Sequence, residues 1–285
     1  MPVRNEKTML GGMSLYRIIN DFESPVCVLN RTLHELPFVI SIPHSGVYIT
    51  DTMERMLKSD AILANMDWYL PELYDFLENM GFTVVINRMS RYVVDPNRNL
   101  TGGIQQDYTK ALIYEKTTFG RELYTSSLSE GEIQARIDRF YKVYHQTLEE
   151  LILEKQKHFD TVYLLDLHSF GKEIEADVVL GNSDGKSMNH RLTQYIKDMF
   201  SVNHYNVALN RPFPGGHIVR HYGCANTRCE AVQIELAYRS YIGKRYFGEE
   251  AFPNIDADTM QDCRNKLRCI FGELKRELCT VLHEG

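Results

Sequence analysis

The sequence has few of the features that mark a secreted or membrane-spanning protein. Its six cysteines include no C-x-x-C pair, and no repeated cysteine spacing indicates a zinc knuckle. A chain of 285 residues can bury a large core without disulfides, so we expect reduced thiols. No apolar run approaches the length of a membrane span, and residues 1–12 contain no apolar segment of signal-peptide length. These absences predict a cytoplasmic protein without a membrane partner.

An excess of positive charge is also missing. The formal net charge is −6, which argues against a nucleic acid or an anionic membrane as the main partner. Hydrophobic residues make up 44% of the chain and charged residues 25%, as in an ordinary globular protein.

Several catalytic motifs are absent as well. The sequence has no G-x-S-x-G, which disfavours a serine nucleophile on a strand-to-helix turn. Gly102-Gly103 has neither the spacing nor the lysine of a phosphate-binding loop. Without H-E-x-x-H, a zinc site would need ligands from distant segments.

Two apolar stretches end in polar residues. Residues 162–169 begin as a run typical of a strand buried in a parallel sheet and end with Asp166, His168 and Ser169. Residues 36–42 form a similar run that stops at Pro43 and His44. Because ligands bind at the carboxyl ends of such strands, we expect both histidines to face a site. The alternative is a structural histidine with satisfied hydrogen bonds.

Strands alternate with helices along most of the chain. Apolar periodicity and caps predict helices at 67–80, from a Ser129–Glu132 capping box to about 157, at 187–200 and at 256–282. Further strands are predicted at 82–86, 91–95, 176–180, 205–209 and 231–236. We therefore expect an α/β protein in which residues 1–285 form a single domain, with a mixed, mostly parallel sheet and helices on both faces.

Four residues near predicted strand or helix ends could form a metal centre. His44, His168 and Glu235 lie at strand ends, and Asp67 lies at a helix start. Two imidazoles and one carboxylate are the common ligand set of a catalytic zinc ion, and a second carboxylate can serve as general base. Polar residues scattered in the core are the alternative interpretation.

Arginines provide candidate groups for a substrate carboxylate, which the planar guanidinium binds with two parallel hydrogen bonds. The candidates are Arg88, Arg91, Arg98 and Arg220. The alternative is a set of surface arginines, and Arg88 fits that alternative best.

Short motifs occur in a fixed order from about residue 39 to residue 242. They are PHSG at 43–46, MDW at 66–68, SRYVVDPNR at 90–98, DLHS at 166–169, NSDG at 182–185, NRPFPGG at 210–216, RHYG at 220–223 and AVQIEL at 231–236. Together these motifs resemble the N-formylglutamate amidohydrolase family. The resemblance implies a fold similar to that of zinc carboxypeptidases and aspartoacylase, with one zinc ion.

The resemblance also implies roles for individual residues. His44 and His168 match the histidine ligands of zinc. Asp67 is our choice for the carboxylate ligand. The carboxypeptidase pattern places a glutamate three residues after the first histidine, and this chain departs from that pattern with Val47 there. The remaining roles implied are general base for Glu235, oxyanion stabilisation for Arg91, and binding of substrate carboxylates for Asn97, Arg98 and Arg220.

The activity implied by the resemblance is hydrolysis of N-formyl-L-glutamate to formate and L-glutamate, a reaction of amino-acid degradation. The partner is then a small N-acyl amino acid. Residues 99–106 depart from the longer, proline-rich segment of typical members, so another N-acyl amino acid or a short peptide is an alternative substrate. A catalytically silent relative is a further alternative.

Overall fold

A computed structural model describes residues 8–9, 12–13, 17–20, 23–33, 35–102, 108, 110–243 and 255–280. Its strands are β1 (Thr8–Met9), β2 (Gly12–Met13), β3 (Arg17–Ile18), β4 (Val26–Leu29), β5 (Phe38–Ile42), β6 (Tyr48–Ile49), β7 (Thr83–Asn87), β8 (Val162–Phe170), β9 (Val178–Gly181), β10 (Val207–Leu209) and β11 (Cys229–Ala237).

The α-helices are α1 (Asp51–Met56), α2 (Leu70–Leu73), α3 (Phe76–Asn79), α4 (Glu130–Arg136), α5 (Lys142–Lys155), α6 (His190–Val202), α7 (His217–Tyr222) and α8 (Ala257–Thr280). A π-helical turn, Ile137–Tyr141, joins α4 to α5, and short 3₁₀ turns lie at Leu100–Gly102 and Tyr238–Ser240. Within the described ranges, no helix combines the length and the apolar character that a membrane crossing requires.

A seven-stranded sheet forms the centre of the fold, in the order β10-β9-β11-β8-β5-β7-β4. Four of its pairings are parallel, and the pairings of β9 with β11 and of β4 with β7 are antiparallel. The prediction of a mixed, mostly parallel sheet is therefore confirmed. The similarity to zinc carboxypeptidases stays a prediction.

Helices cover both faces of this sheet. Successive strand residues point to opposite sides, so the apolar strands place buried residues on each face. Val39, Leu164 and Ala231 belong to a buried cluster with residues of α5 and α7. Phe38, Leu165 and Val232 lie on the other face, in a cluster that includes Leu267 and Phe271 of α8. The predicted two-faced packing is confirmed.

The face covered by α5 and α7 carries a row of polar side chains. The register pairs Ser41 of β5 and Gln233 of β11 with Asp166 of β8. Two residues further along the strands, it pairs Glu235 with His168. Since β5, β8 and β11 are parallel, these residues approach the same edge of the sheet. The candidate site lies at this edge.

Two local predictions were wrong. The helix expected at 67–80 is split into α2 and α3, and Tyr69 before it has a left-handed backbone with φ of 57°. The strand expected at 91–95 is a buried turn, in which Val93 N donates to Ser90 O at 2.9 Å. An apolar run of this length records burial, and burial alone does not distinguish a strand from a packed turn.

The N-cap of α4 agrees with the sequence. Ser129 accepts a hydrogen bond from Glu132 N at 3.2 Å, as the capping box predicts. Gly81 follows α3 with φ of 87°, the left-handed backbone expected just beyond a helix.

Gly46 provides a test of the packing beside the site. A Cβ at Gly46 would overlap the backbone of Arg88 and Met89. We expect Gly46→Ala to lower the free energy of unfolding by about 1–3 kcal/mol, measured by urea denaturation. Gly131→Ala is the matched control, because the new methyl group in α4 would meet only Ser129 Oγ, at an ordinary contact distance of 3.9 Å, and should raise stability by about 0.5–1 kcal/mol. Equal stability of Gly46→Ala and the unmodified protein would contradict the close packing.

Candidate active site

His44, Asp67 and His168 come together although they are far apart in the chain. Their potential ligand atoms all lie within 4.8 Å of one another, and the three side chains are buried. The ring centroids of the two histidines are 4.7 Å apart. These three residues form a group that could hold a metal ion.

Main-chain contacts position two of these residues together. His44 lies two residues beyond the end of β5, and its carbonyl oxygen accepts a hydrogen bond from Asp67 N at 3.2 Å. Ser45 Oγ donates to Asp67 O at 2.6 Å, which joins the two segments a second time. His168 is part of β8 itself, so its backbone is fixed by the neighbouring strands.

The buried carboxylate of Asp95 orients the ring of His44. Asp95 Oδ1 lies 2.7 Å from His44 Nε2, and an ionised carboxylate only accepts hydrogen bonds, so Nε2 carries the hydrogen. Burial, with a smaller contribution from Arg91, lowers the pKa of His44 to about 4. The ring is therefore neutral, and Nδ1 has a free lone pair that faces Asp67 Oδ2 at 3.7 Å.

His168 has carboxylates on both sides of its ring. Nε2 lies 2.9 Å from Asp166 Oδ2, and Nδ1 lies 2.9 Å from Asp67 Oδ2. Burial alone would lower the pKa of His168, but Asp166 and Asp67 outweigh it and raise that pKa well above its usual value. The position beside Nδ1 thus favours positive charge.

This donor set fits a metal ion. His44 Nδ1 and Asp67 Oδ2 are both acceptors and face each other in a buried space, where two lone pairs without a cation repel each other. Ligands bonded to zinc at about 2.0–2.2 Å in a tetrahedron lie somewhat over 3 Å apart, close to this separation. Carboxylates on the distal nitrogens of both rings are the usual outer partners of ligating histidines.

Glu235 lies beside this group as a separate carboxylate. It pairs with His168 in the sheet register, and its Oε1 accepts a hydrogen bond from Gln233 Nε2 at 2.7 Å. Burial raises the pKa of Glu235 to about 8, an effect that His168 opposes and that Asp67 and Asp166 reinforce. A carboxylate with a raised pKa can accept and return a proton near neutral pH.

Arg91 connects to the same centre through Asp95. Its NH2 donates to Asp95 Oδ2 at 2.7 Å, and Tyr114 OH donates to the same oxygen. Burial would raise the pKa of Asp95, but His44 and Arg91 outweigh it and hold that pKa well below its usual value. Asp95 therefore stays ionised and fixes a histidine and an arginine at once.

The predicted substrate-binding residues lie on two adjoining segments. Asn97 is buried, its Oδ1 accepts from Ile218 N at 2.8 Å, and its Nδ2 lies 3.0 Å from His168 Nε2. Arg98 Nε is buried and lacks a hydrogen-bond partner among the residues that the structure describes. Arg220, on α7, donates to Gly215 O. Burial lowers the pKa of Arg220, and the nearby charge of Arg98 lowers it further.

Four residues that the geometry makes important have no role predicted from the sequence: Asp95, Tyr114, Asp166 and Gln233. A signal existed for two of them. Strand periodicity places Asp166 on the same face as His168, and Gln233 on the same face as Glu235. Tyr114 lies in a segment without periodicity, where no such signal exists.

Residues 99–106, which are expected to shape the substrate pocket, lie partly outside the described residues, because 103–107 are not described. Tyr108 and Tyr114, further along the same segment, stack at 4.3 Å between ring centroids, and Tyr108 lies beside Arg91.

Three residues that could hold a metal ion, next to a further carboxylate and an arginine, are the side chains that a metal-dependent hydrolase requires. The sequence model of the N-formylglutamate amidohydrolase family matches residues 36–242. The chain therefore belongs to the N-formylglutamate amidohydrolase family.

Individual relatives agree with this assignment. The chain is 31% identical over 230 residues to an N-formylglutamate deformylase of Pseudomonas aeruginosa, which covers 76% of this chain and 86% of the relative. It is 32% identical over 231 residues to an N-formylglutamate deformylase of Pseudomonas putida, covering 75% and 85%. The structure of an N-formylglutamate amidohydrolase from Ralstonia eutropha JMP134 matches with a TM-score of 0.70 at 24% identity, over 89% of this chain and 99% of that one, and shows the same fold.

His168 allows a direct test of the metal group. We expect His168→Ala to lose stoichiometric metal, measured by inductively coupled plasma mass spectrometry after dialysis, because one of the three candidate ligands is removed. His190→Ala, which changes an exposed histidine of α6, is the control and should retain the metal content of the unmodified protein. Full metal content in His168→Ala would remove this residue from the ligand set.

Proposed function

We propose that this protein hydrolyses the formamide bond of N-formyl-L-glutamate to give formate and L-glutamate. The observation that carries the proposal is the meeting of His44, Asp67 and His168 beside Glu235, in a member of this family. The names of the two Pseudomonas relatives support the substrate.

His44, Asp67 and His168 would hold the metal ion, for which we propose zinc. The bound ion would polarise the amide carbonyl and make water more acidic. Nitrogen and oxygen donors in a compact buried set are what zinc prefers.

Glu235 has the position and the pKa for proton transfer. It accepts a proton from the attacking water as oxygen bonds to the formyl carbon. It then returns the proton to the departing nitrogen as the carbon–nitrogen bond breaks. The hydrogen bond from Gln233 holds one of its oxygens, so the other is available to the water.

Arg91 stabilises the negative charge that develops on the carbonyl oxygen. Asp95 and Tyr114 hold its guanidinium in place before the substrate binds, so little reorganisation is needed during the reaction.

Asn97, Arg98 and Arg220 bind the carboxylates of the glutamate part. The buried Nε of Arg98 has no hydrogen-bond partner within the described ranges, and a substrate carboxylate would supply one. An acyl amino acid without a side-chain carboxylate should therefore bind more weakly. We also propose that residues 1–285 form one domain and that the protein acts in the cytoplasm.

Formate release with and without a chelator tests the activity. We expect formate from N-formyl-L-glutamate, loss of activity with chelator, and much slower release from N-formyl-L-leucine. Equal rates on both substrates would contradict the assignment of the arginines. Faster hydrolysis of an N-acetyl amino acid or a short peptide, followed by the free amine that it produces, would instead indicate a related hydrolase with another substrate.

Glu235→Gln tests the general base. We expect at least about a 100-fold loss of kcat, because glutamine cannot accept the proton, with metal content unchanged. Glu54→Gln, which changes an exposed glutamate of α1, is the control and should keep full activity. A fully active Glu235→Gln variant would rule out this role.

A further inference from the structure

The π-helical turn Ile137–Tyr141 interrupts the long helix formed by α4 and α5. A π turn inserts an extra residue and shifts the face that the following residues present, and such turns often occur at functional sites. Here the turn and the start of α5 direct three rings towards the candidate site: those of Tyr141, Tyr144 and His145.

Tyr141 contacts the substrate-binding segment through its hydroxyl group. It is 4% exposed, and its OH donates to Arg98 O at 2.9 Å. Its ring packs on that of His145, with 4.3 Å between centroids. The peptide group that follows Arg98 is thereby fixed from the side of the helix.

His145 contacts the same segment two residues earlier. Its Nε2 lies 2.8 Å from Pro96 O, and a carbonyl oxygen only accepts, so Nε2 donates. Its Nδ1 lies 2.9 Å from Tyr222 OH at the end of α7, the helix that carries Arg220. His145 therefore links the two segments that bear the proposed carboxylate-binding residues.

The hydrogen bonds of Tyr141 to Arg98 O and of His145 to Pro96 O flank a residue that α7 also contacts. Asn97 lies between the two bonded carbonyl groups and is held by Ile218 N. A Cβ at Gly216 would overlap the side chain of Asn97, so α7 packs directly against it. Loss of either contact from the helix would loosen the backbone of this segment. The guanidinium of Arg98 would be affected as well, since its NH1 donates to the carbonyl oxygen of Asn97 at 3.2 Å.

We propose that Tyr141 and His145 are positioning residues that fix the backbone of residues 96–98 and thereby set the affinity for the carboxylates of the substrate. The inference rests on the proposed function, since it assigns Asn97 and Arg98 to substrate binding. Neither side chain touches the reacting atoms, so the effect falls on KM and leaves kcat unchanged.

Four variants test this proposal by their kinetics on N-formyl-L-glutamate. Tyr141→Phe removes the hydroxyl alone, and His145→Leu removes both ring nitrogens, the donor Nε2 and the acceptor Nδ1. His145→Gln retains an N–H that can reach Pro96 O and serves as the conservative rescue. Tyr205→Phe is the matched control, because it loses a buried hydroxyl that contacts Cys263 of α8.

We expect KM to rise about 3- to 10-fold in Tyr141→Phe and His145→Leu, the effect of one lost hydrogen bond, with kcat within about twofold and metal content unchanged. His145→Gln should recover most of the affinity, and Tyr205→Phe should keep the original KM. An unchanged KM in Tyr141→Phe and His145→Leu would overturn the proposal. So would an equal rise in Tyr205→Phe, or a fall in kcat accompanied by metal loss.

Binding of glutarate, followed by calorimetry, separates this proposal from the proposed function. If the unmodified protein releases no formate, the function is wrong, and glutarate still reports on the carboxylate site. Weaker glutarate binding in Tyr141→Phe and His145→Leu alone would then support the positioning role. Equal binding in all variants, or no binding to the unmodified protein, would overturn it.

Discussion

Charge balance in a buried space is the constraint on which the site depends. Four carboxylates lie below a tenth of their full exposure within one cluster: Asp67, Asp95, Asp166 and Glu235. Burial of an unpaired carboxylate costs several kcal/mol, so each needs donors or cations in contact. Arg91 supplies one positive charge, and the imidazole donors supply part of the rest. A divalent cation between His44, Asp67 and His168 would complete the balance, which is why this arrangement suits a metal centre better than a purely structural polar core.

The helix with the π turn joins the two halves of the site. Ser41 donates its hydrogen to Asp166 at 2.6 Å, so Tyr144 OH must donate to Ser41 Oγ, and the chain of contacts continues from Asp166 to His168. Tyr141 and His145, from the same stretch of helix, hold the segment that carries Arg98. One stretch of helix therefore contacts both the chain of residues that leads to His168 and the segment that carries Arg98.

Agreement between sequence and structure varies with the range of the interaction. The strand 162–169 and the helix that begins after Ser129 were predicted well, because their signals are local periodicity and capping. The helix at 67–80 and the strand at 91–95 were wrong, because tertiary packing overrides local preference there. The role of Asp95 was missed for a related reason: its importance comes from simultaneous contact with His44, Arg91 and Tyr114, which are separated by up to 51 positions from it in the chain.

By itself, the sequence determined the α/β class and the positions of the main strands along the chain. It also identified His44, His168, Glu235 and Asp67 as candidate residues of a metal centre. These conclusions depend on burial patterns and residue chemistry, which are properties of the chain itself. Only the tertiary structure decided that His44, Asp67 and His168 converge within 4.8 Å. It also decided which ring nitrogen of His44 faces Asp67, and which helix contacts residues 96–98. The register between β5 and β8 brings the segment of His44 beside His168, and the hydrogen bond from Asp67 N to His44 O adds Asp67. Both depend on pairing between distant segments, which no single segment encodes.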